Sequence, residues 1–231
     1  MREVARARGA NCRQLDQPQL GCIVVVVFAA GFEYVVRIQP IKGEGQDRAA
    51  VFEREGGLVI AVADGAGGTS NGEIAAQAVL ETVETLAASD ADWSVVLRAL
   101  DGDAHRLDGG QTTAIVLVVD DRGVRGASIG DSEAWLVYSD RVDMLTAGQE
   151  RKPLLGGGGH PVPTRAGPLG DATLVVGSDG LFRYARPIDI ARLAMMADLE
   201  TAAKLLVDLV RLPNGNVHDD VSVVLCRTIR I

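Results

Sequence analysis

The sequence predicts an α+β fold, two antiparallel sheets packed together with helices outside. Two observations lead there. The first is the order of apolar periodicities along the chain: strands, two helices, more strands, two further helices and a closing strand. The second is the stretch from Leu58 to Gly72, LVIAVADGAGGTSNG, which the rest of the chain surrounds. Its first six residues are small or branched and apolar without a helical period, so they read as a buried strand. Asp64 stands at that strand's exit. Behind it Gly65, Gly67 and Gly68 let the backbone approach an ion or a phosphate without side-chain obstruction.

Taken in order, residues 1–31 form an N-terminal extension of uncertain structure, and residues 32–231 form the main domain. Within the extension, GCIVVVVFAAGF is too short to cross a bilayer as a helix, and polar residues separate it from the arginines more widely than in a signal peptide. The segment reads first as an extra strand or a loosely packed extension, and otherwise as a segment outside the folded domain or a targeting element. Phe32 to Gln39 and Arg48 to Phe52 read as strands, the latter joined to the central strand through Glu55, Gly56 and Gly57. Ser70 and Glu73 form a capping box, with Ile74, Ala75, Ala78, Val79 and Leu86 at helical spacing behind it. Helices over Gly72 to Ala88 and Trp93 to Leu107 precede strands at Thr113 to Val119, Val124 to Ile129, Ala134 to Tyr138 and Val142 to Leu145. A glycine- and proline-rich connection follows, which reads as mobile and unable to bury a core. Thr173 to Gly177 is a strand, Ile188 to Met196 and Leu199 to Val210 are helical, and Val221 to Ile229 closes the sheet.

Composition excludes several classes. A chain of 231 residues with 47% hydrophobic content has ample core for one large domain. Its net charge of −8 argues against nucleic acid or an anionic membrane as the main partner. Cys12, Cys22 and Cys226 are odd in number at unrelated spacings, which suits reduced thiols in a cytoplasmic protein and offers no zinc site. No Gly-Lys-Ser/Thr follows the glycine turn, so it is not a nucleotide P-loop.

Asp-Gly after an apolar strand is also a common tight-turn signal. Here, however, the arrangement recurs. Asp179 ends the run TLVVGSDGLF, Asp131 stands between two strands in RGASIGDSEAWLV, and Asp219 and Asp220 open HDDVSVVLC. Carboxylates converging without Cys or His suit Mg²⁺ or Mn²⁺.

These residues resemble the metal-dependent serine/threonine protein phosphatases of type 2C, the PPM family, in a compact bacterial-type form. The matching pieces come in the family's order: GQDRAAVF, VADGAGG, QTTAIVLV, GDSEAWLV, the pair Leu145 and Thr146, GSDGLF and DDVSVVL, spanning most of Ile38 to Arg227. The resemblance implies a four-layer αββα sandwich and hydrolysis of phosphoserine or phosphothreonine on a partner protein by a hydroxide bridging two Mn²⁺ or Mg²⁺ ions. It implies that Asp47, Asp64, Asp179 and Asp219 are catalytic metal ligands, that the carbonyl of Gly65 is a further ligand, and that Asp131 helps hold a third, weaker ion. Asp131 also suits a tight turn, and Asp220 reads as a strand-opening residue. A phosphoprotein substrate, a cognate serine/threonine kinase pathway and a signalling role follow from the same resemblance.

The chain departs from the family in four places. Lys42, five positions before Asp47, stands where an arginine usually grips the substrate phosphate, and it lacks the bidentate fork. Ala66 stands where many eukaryotic members have histidine. Glu133 replaces an arginine after Gly-Asp-Ser, and the stretch between Leu145 and Asp171 lacks most of the flap beside the active site. These departures leave open an alternative from another class: a weakly active or inactive module of the same fold that binds phosphorylated partners.

Overall fold

The computed structural model describes residues 23–67 and 71–229, with side chains from residue 27 onward. The chain runs β1 (Ile23–Ala29), β2 (Phe32–Gln39), β3 (Asp47–Arg54), β4 (Gly57–Asp64), α1 (Gly72–Leu86), α2 (Trp93–Asp101), α3 (Ala104–Leu107), β5 (Ala114–Asp120), β6 (Gly123–Ile129), β7 (Glu133–Val137) and β8 (Val142–Met144). It continues through β9 (Val162–Ala166), β10 (Thr173–Gly177), α4 (Asp179–Phe182), α5 (Pro187–Ala194), α6 (Leu199–Leu209) and β11 (Val221–Thr228). The strands form two wholly antiparallel sheets, ordered β1-β2-β11-β10-β7-β8 and β3-β4-β5-β6-β9.

Strand periodicity explains how they stack. Along β4, Leu58, Ile60 and Val62 point one way, into a layer shared with Ile115, Leu117, Leu174 and Val224. That layer draws on both sheets, so it is the interior of the sandwich. The alternate residues Val59, Ala61 and Ala63 point the other way, onto α1 and α2. Both faces of β4 are therefore covered, which is why its sequence is an unbroken apolar run and not an alternating one. On the other sheet, Val175, Val223 and Leu225 meet Ile190, Leu193, Leu199 and Leu206 of α5 and α6. Helix, sheet, sheet and helix make four layers.

The apolar run of the N-terminal extension is an extra strand: β1 pairs with β2 along its whole length, Ile23↔Ile38 to Ala29↔Phe32, so the sheet reaches into the extension. The hairpin turn at Ala30 and Gly31 has positive φ at both residues, the type I′ geometry that matches strand twist. Other local readings change. The single helix expected from Trp93 to Leu107 is two, because Asp103 caps a new start: its side chain accepts from Arg106 N. At α1 the N-cap is Asn71 without a side-chain cap, and Ser70 of the expected capping box lies outside the described residues, as does Gly68. The Glu73 carboxylate instead accepts from Gln46 Nε2 at 3.2 Å.

The largest correction concerns the glycine- and proline-rich connection. It is not coreless. Leu154, Leu155 and Leu169 are buried, and Leu155 exchanges backbone hydrogen bonds with Thr112 at 3.0 and 3.1 Å. Asp101 Oδ1 accepts from the backbone N–H groups of Gly156 and Gly158, and β9 completes the edge of the second sheet. Pro163 fits within β9 because an edge strand leaves half its N–H groups unused. Substituting Leu155 by alanine should therefore cost about 2–5 kcal/mol in urea unfolding. A loop that packed nothing would change stability by no more than about 0.5 kcal/mol.

Candidate metal centre

Asp47 begins β3 and Asp64 ends β4, and antiparallel register places them directly opposite each other. The other sheet contributes Asp179, the first residue of α4 after β10, and Asp219 and Asp220 ahead of β11. Strand ends of the two sheets meet here, because Asp220 reaches across. Its Oδ1 accepts from Ile41 N at 2.7 Å, and its Oδ2 accepts from Gln46 N at 2.5 Å and Asp47 N at 3.4 Å. Asp220 thus opens β11, as its sequence suggested, and also holds the turn that leads into Asp47. Gly45 is needed in that turn: its φ is +68°, and a Cβ would stand 2.5 Å from Asp220 Oδ2.

Asp64 is fixed by neighbouring motifs. Its N–H donates to Thr113 Oγ1 at 3.0 Å, and its carbonyl accepts from Thr113 N and Thr112 Oγ1, each at 2.9 Å. Thr113 Oγ1 lies 2.7 Å from Ser132 Oγ, next to Asp131. Thr146 Oγ1 in turn accepts from Ala134 N at 3.1 Å. The motifs around Thr112, Ser132 and Thr146 form one relay holding the loop of Asp131 to the end of β4. Gly65 is likewise constrained, since a Cβ there would meet the backbone of Gly72 at 2.5 Å.

Electrostatics shows what the arrangement lacks. Both carboxyl oxygens of Asp47 are buried without a hydrogen-bond partner of good geometry. Burial raises its pKa to about 7, partly opposed by the nearby hydroxyls of Ser178 and Ser222. Asp64 is raised further, to about 10, by burial first and then by the charges of Asp47, Asp179 and Asp219. Asp179 is also raised, by burial and by Asp131 and Asp219, against Arg183 and Arg151. Asp47, Asp64, Asp131, Asp179 and Asp219 are thus close enough to repel one another. Among the described residues they do not close into a ready array of three donors. Oxygen donors with an orphaned buried carboxylate fit a hard divalent cation, whose charge would offset the repulsion.

Other site readings fare differently. Lys42 is exposed on the turn before β3, and its side chain makes no hydrogen bond or ion pair among the described residues. The cations beside the carboxylates are two arginines that no sequence motif marks. Arg151 Nε lies 3.6 Å from Asp131 Oδ2, and Arg183 Nη1 lies 3.8 Å from Asp179 Oδ2. Arg183 was findable in principle, four residues after Asp179 on a helical turn. Arg151 sits in the connection, where no period places it. Both line a cavity of about 440 Å³ with Asp131, Asp179, Met144 and Phe182. His218, beside Asp219, also belongs to no motif; its ring stacks on Tyr184 with centroids 4.6 Å apart.

Comparison with solved structures identifies this architecture as the type 2C phosphatase fold. The serine/threonine phosphatase PstP/Ppp of Mycobacterium tuberculosis matches with a TM-score of 0.70 at 19% identity, over 90% of this chain and 100% of that one. The PstP catalytic domain in complex with two manganese ions gives 0.66 at 20%, over 86% and 99%. RsbX in complex with magnesium gives 0.67 at 19%, over 90% and 100%. The model of the Stage II sporulation protein E (SpoIIE) family matches residues 54–229, and the chain belongs to that family. No curated protein matches.

The raised carboxylates set a pH dependence. An aspartate has a pKa of about 3.9 in an unfolded chain. Between that value and about 7 for Asp47, or about 10 for Asp64, the folded state binds more protons than the unfolded one. The stability these groups contribute is therefore full below about pH 4 and is lost as pH rises through the folded-state values. Metal-free protein should melt at a higher temperature at pH 5.5 than at pH 8, and Asp64→Asn should flatten that difference in a thermal unfolding series.

Proposed function

We propose that this protein is a divalent-metal-dependent phosphatase acting on phosphoserine or phosphothreonine of a partner protein. The observation that carries this reading is the buried carboxylate of Asp47 directly opposite Asp64, which in turn feels the charges of Asp179 and Asp219 where the two sheets meet. In this reading Asp47, Asp64, Asp179 and Asp219, with the Gly65 carbonyl, hold two Mn²⁺ or Mg²⁺ ions, and Asp131 faces a third. Bound there, such ions supply Lewis acidity and a water acidified toward neutral pH. The manganese and magnesium complexes of PstP and RsbX support the choice of ion.

The chain's own residues would orient the reaction. Asp220 holds the turn of Lys42 and the start of β3, and Thr112, Thr113 and Ser132 hold Asp64 and the Asp131 loop in fixed relation. Arg151 and Arg183 line the same cavity as Asp131 and Asp179, and their planar guanidinium forks would take phosphoryl oxygens there in a bidentate way that Lys42 cannot offer. The net charge of −8 supports a protein substrate over nucleic acid or an anionic membrane. No helix among the described residues is long and apolar enough to cross a membrane. A cytoplasmic signalling role opposite a serine/threonine kinase completes the proposal.

A second reading, a binding module with little or no turnover, is favoured by the open carboxylate array and by Ala66 and Lys42. Hydrolysis of para-nitrophenyl phosphate across a Mn²⁺ titration separates the two. The phosphatase shows metal-dependent turnover that Asp179→Asn lowers at least about 100-fold, of the order expected when a group stabilising transition-state charge is removed. Absence of turnover in folded wild type at saturating Mn²⁺, with retention of a phosphopeptide, would favour the module.

A further inference from the structure

A second charged site lies at the other end of β6. In the β6–β9 ladder Arg125 stands directly opposite Arg165, so both side chains leave the same face of the sheet. Like charges in that position destabilise a sheet. Arg122, in the turn before β6, adds a third guanidinium. The three line a cavity of about 600 Å³ together with Gly123, Ala166 and Gly167. Gly123 keeps its wall closed: φ is +125°, and a Cβ there would run into the carbonyl of Ala166.

The acids that form hydrogen bonds or ion pairs here are already engaged. Arg125 Nη1 pairs with Asp120 Oδ2 at 2.6 Å, and Asp120 Oδ1 accepts from Arg122 N at 2.9 Å, so Asp120 is occupied. Asp90, whose charge also reaches Arg122 and Arg125, is bound to Arg54 at 2.6 Å, and Asp121 precedes Arg122 in the exposed turn. The guanidinium groups of Arg122 and Arg165 have no ion pair among the described residues. A charge on β9 is useful in itself, because charged side chains guard an edge strand against pairing with another chain. Edge protection does not require that charge to face Arg125 across a cavity, where an acid would serve as well and stabilise the pair.

We propose that this cavity is a binding site for a phosphate-type oxyanion, carried on a phosphorylated segment of a protein. Planar guanidinium forks match phosphate oxygens bidentately, and an anion between Arg125 and Arg165 converts their repulsion into a shared attraction. The depression is open to solvent, with Arg122, Arg165 and Gly167 exposed, so a phosphate carried on a larger group can reach it. β6 spans 7 residues, so the site stands about 20 Å from Gly130 and Asp131 at the strand's far end. The assignment to a protein-borne phosphate rests on the proposed phosphatase reading: a multiply phosphorylated substrate would be anchored here by one phosphate while another reaches the metal centre.

The test uses the full chain, metal-free in chelator so that the metal centre takes no part, in thermal unfolding with inorganic phosphate and in binding titrations with a singly phosphorylated peptide. Wild type should melt at a higher temperature as phosphate is added, beyond the effect of chloride at equal ionic strength. Arg122→Ala/Arg165→Ala should lose that response, and in phosphate-free buffer should melt no lower than wild type, since the repelling pair is gone. Equal phosphate responses in the two proteins would overturn the site. Phosphopeptide binding at least tenfold tighter than inorganic phosphate supports a protein source; equal or weaker binding would overturn that source. Failure of the phosphatase reading would appear instead as absent metal-dependent hydrolysis, which this metal-free measurement does not involve.

Discussion

The burial of negative charge where the two sheets meet is the constraint on which the rest of the structure depends. Asp47 is almost wholly enclosed, with neither carboxyl oxygen in a hydrogen bond of good geometry, and Asp64 sits directly across the ladder from it. An uncompensated buried carboxylate is costly, and a protein can meet that cost by protonation or by a cation. The supporting features serve to keep these groups together despite their repulsion. Asp220 spans from one sheet to the turn of the other, Thr112 and Thr113 grip both backbone groups of Asp64, and Ser178 Oγ accepts from Ser222 N at 2.9 Å to join the loop of Asp179 to β11.

What the sequence conveyed and what it hid follow from the range of each interaction. β4 was legible because both its faces are covered, and an unbroken apolar run records that directly. Asp64, Asp179 and Asp219 were legible because each stands at or beside the end of an apolar run, whereas Asp47, at the start of the mixed and half-buried β3, came only with the family resemblance. The break between α2 and α3 was missed because the apolar stripe continues across it: Leu97, Leu100 and Leu107 all join one cluster while Asp103 recaps the chain between them. The connection from Leu145 to Asp171 was misjudged for a related reason. Its order comes from three leucines and from backbone bonds to Thr112 and Asp101, partners more than forty residues away that composition cannot reveal. The proximity of Arg151 to Asp131 is of the same kind.

The two charged regions divide the molecule. One end of the sandwich gathers carboxylates and suits cations; the far end of β6 gathers guanidinium groups and suits anions. Both are held by strand register, Asp47↔Asp64 at one end and Arg125↔Arg165 at the other, and in both the backbone opposes groups of like sign. Such arrangements are disfavoured for stability alone. Both proposals, a cation at one rim and an oxyanion at the other, rest on this opposition of like charges across a ladder.

The buried carboxylates are tested most directly by calorimetric titration of Mn²⁺ into the full metal-free chain, repeated in buffers of different ionisation enthalpy. Two ions should bind with release of protons, because cations entering the site must displace those that Asp47 and Asp64 retain. Binding should fail in Asp47→Asn/Asp64→Asn. Saturable binding without proton release, or binding that survives that double substitution, would contradict the central role of the buried carboxylates.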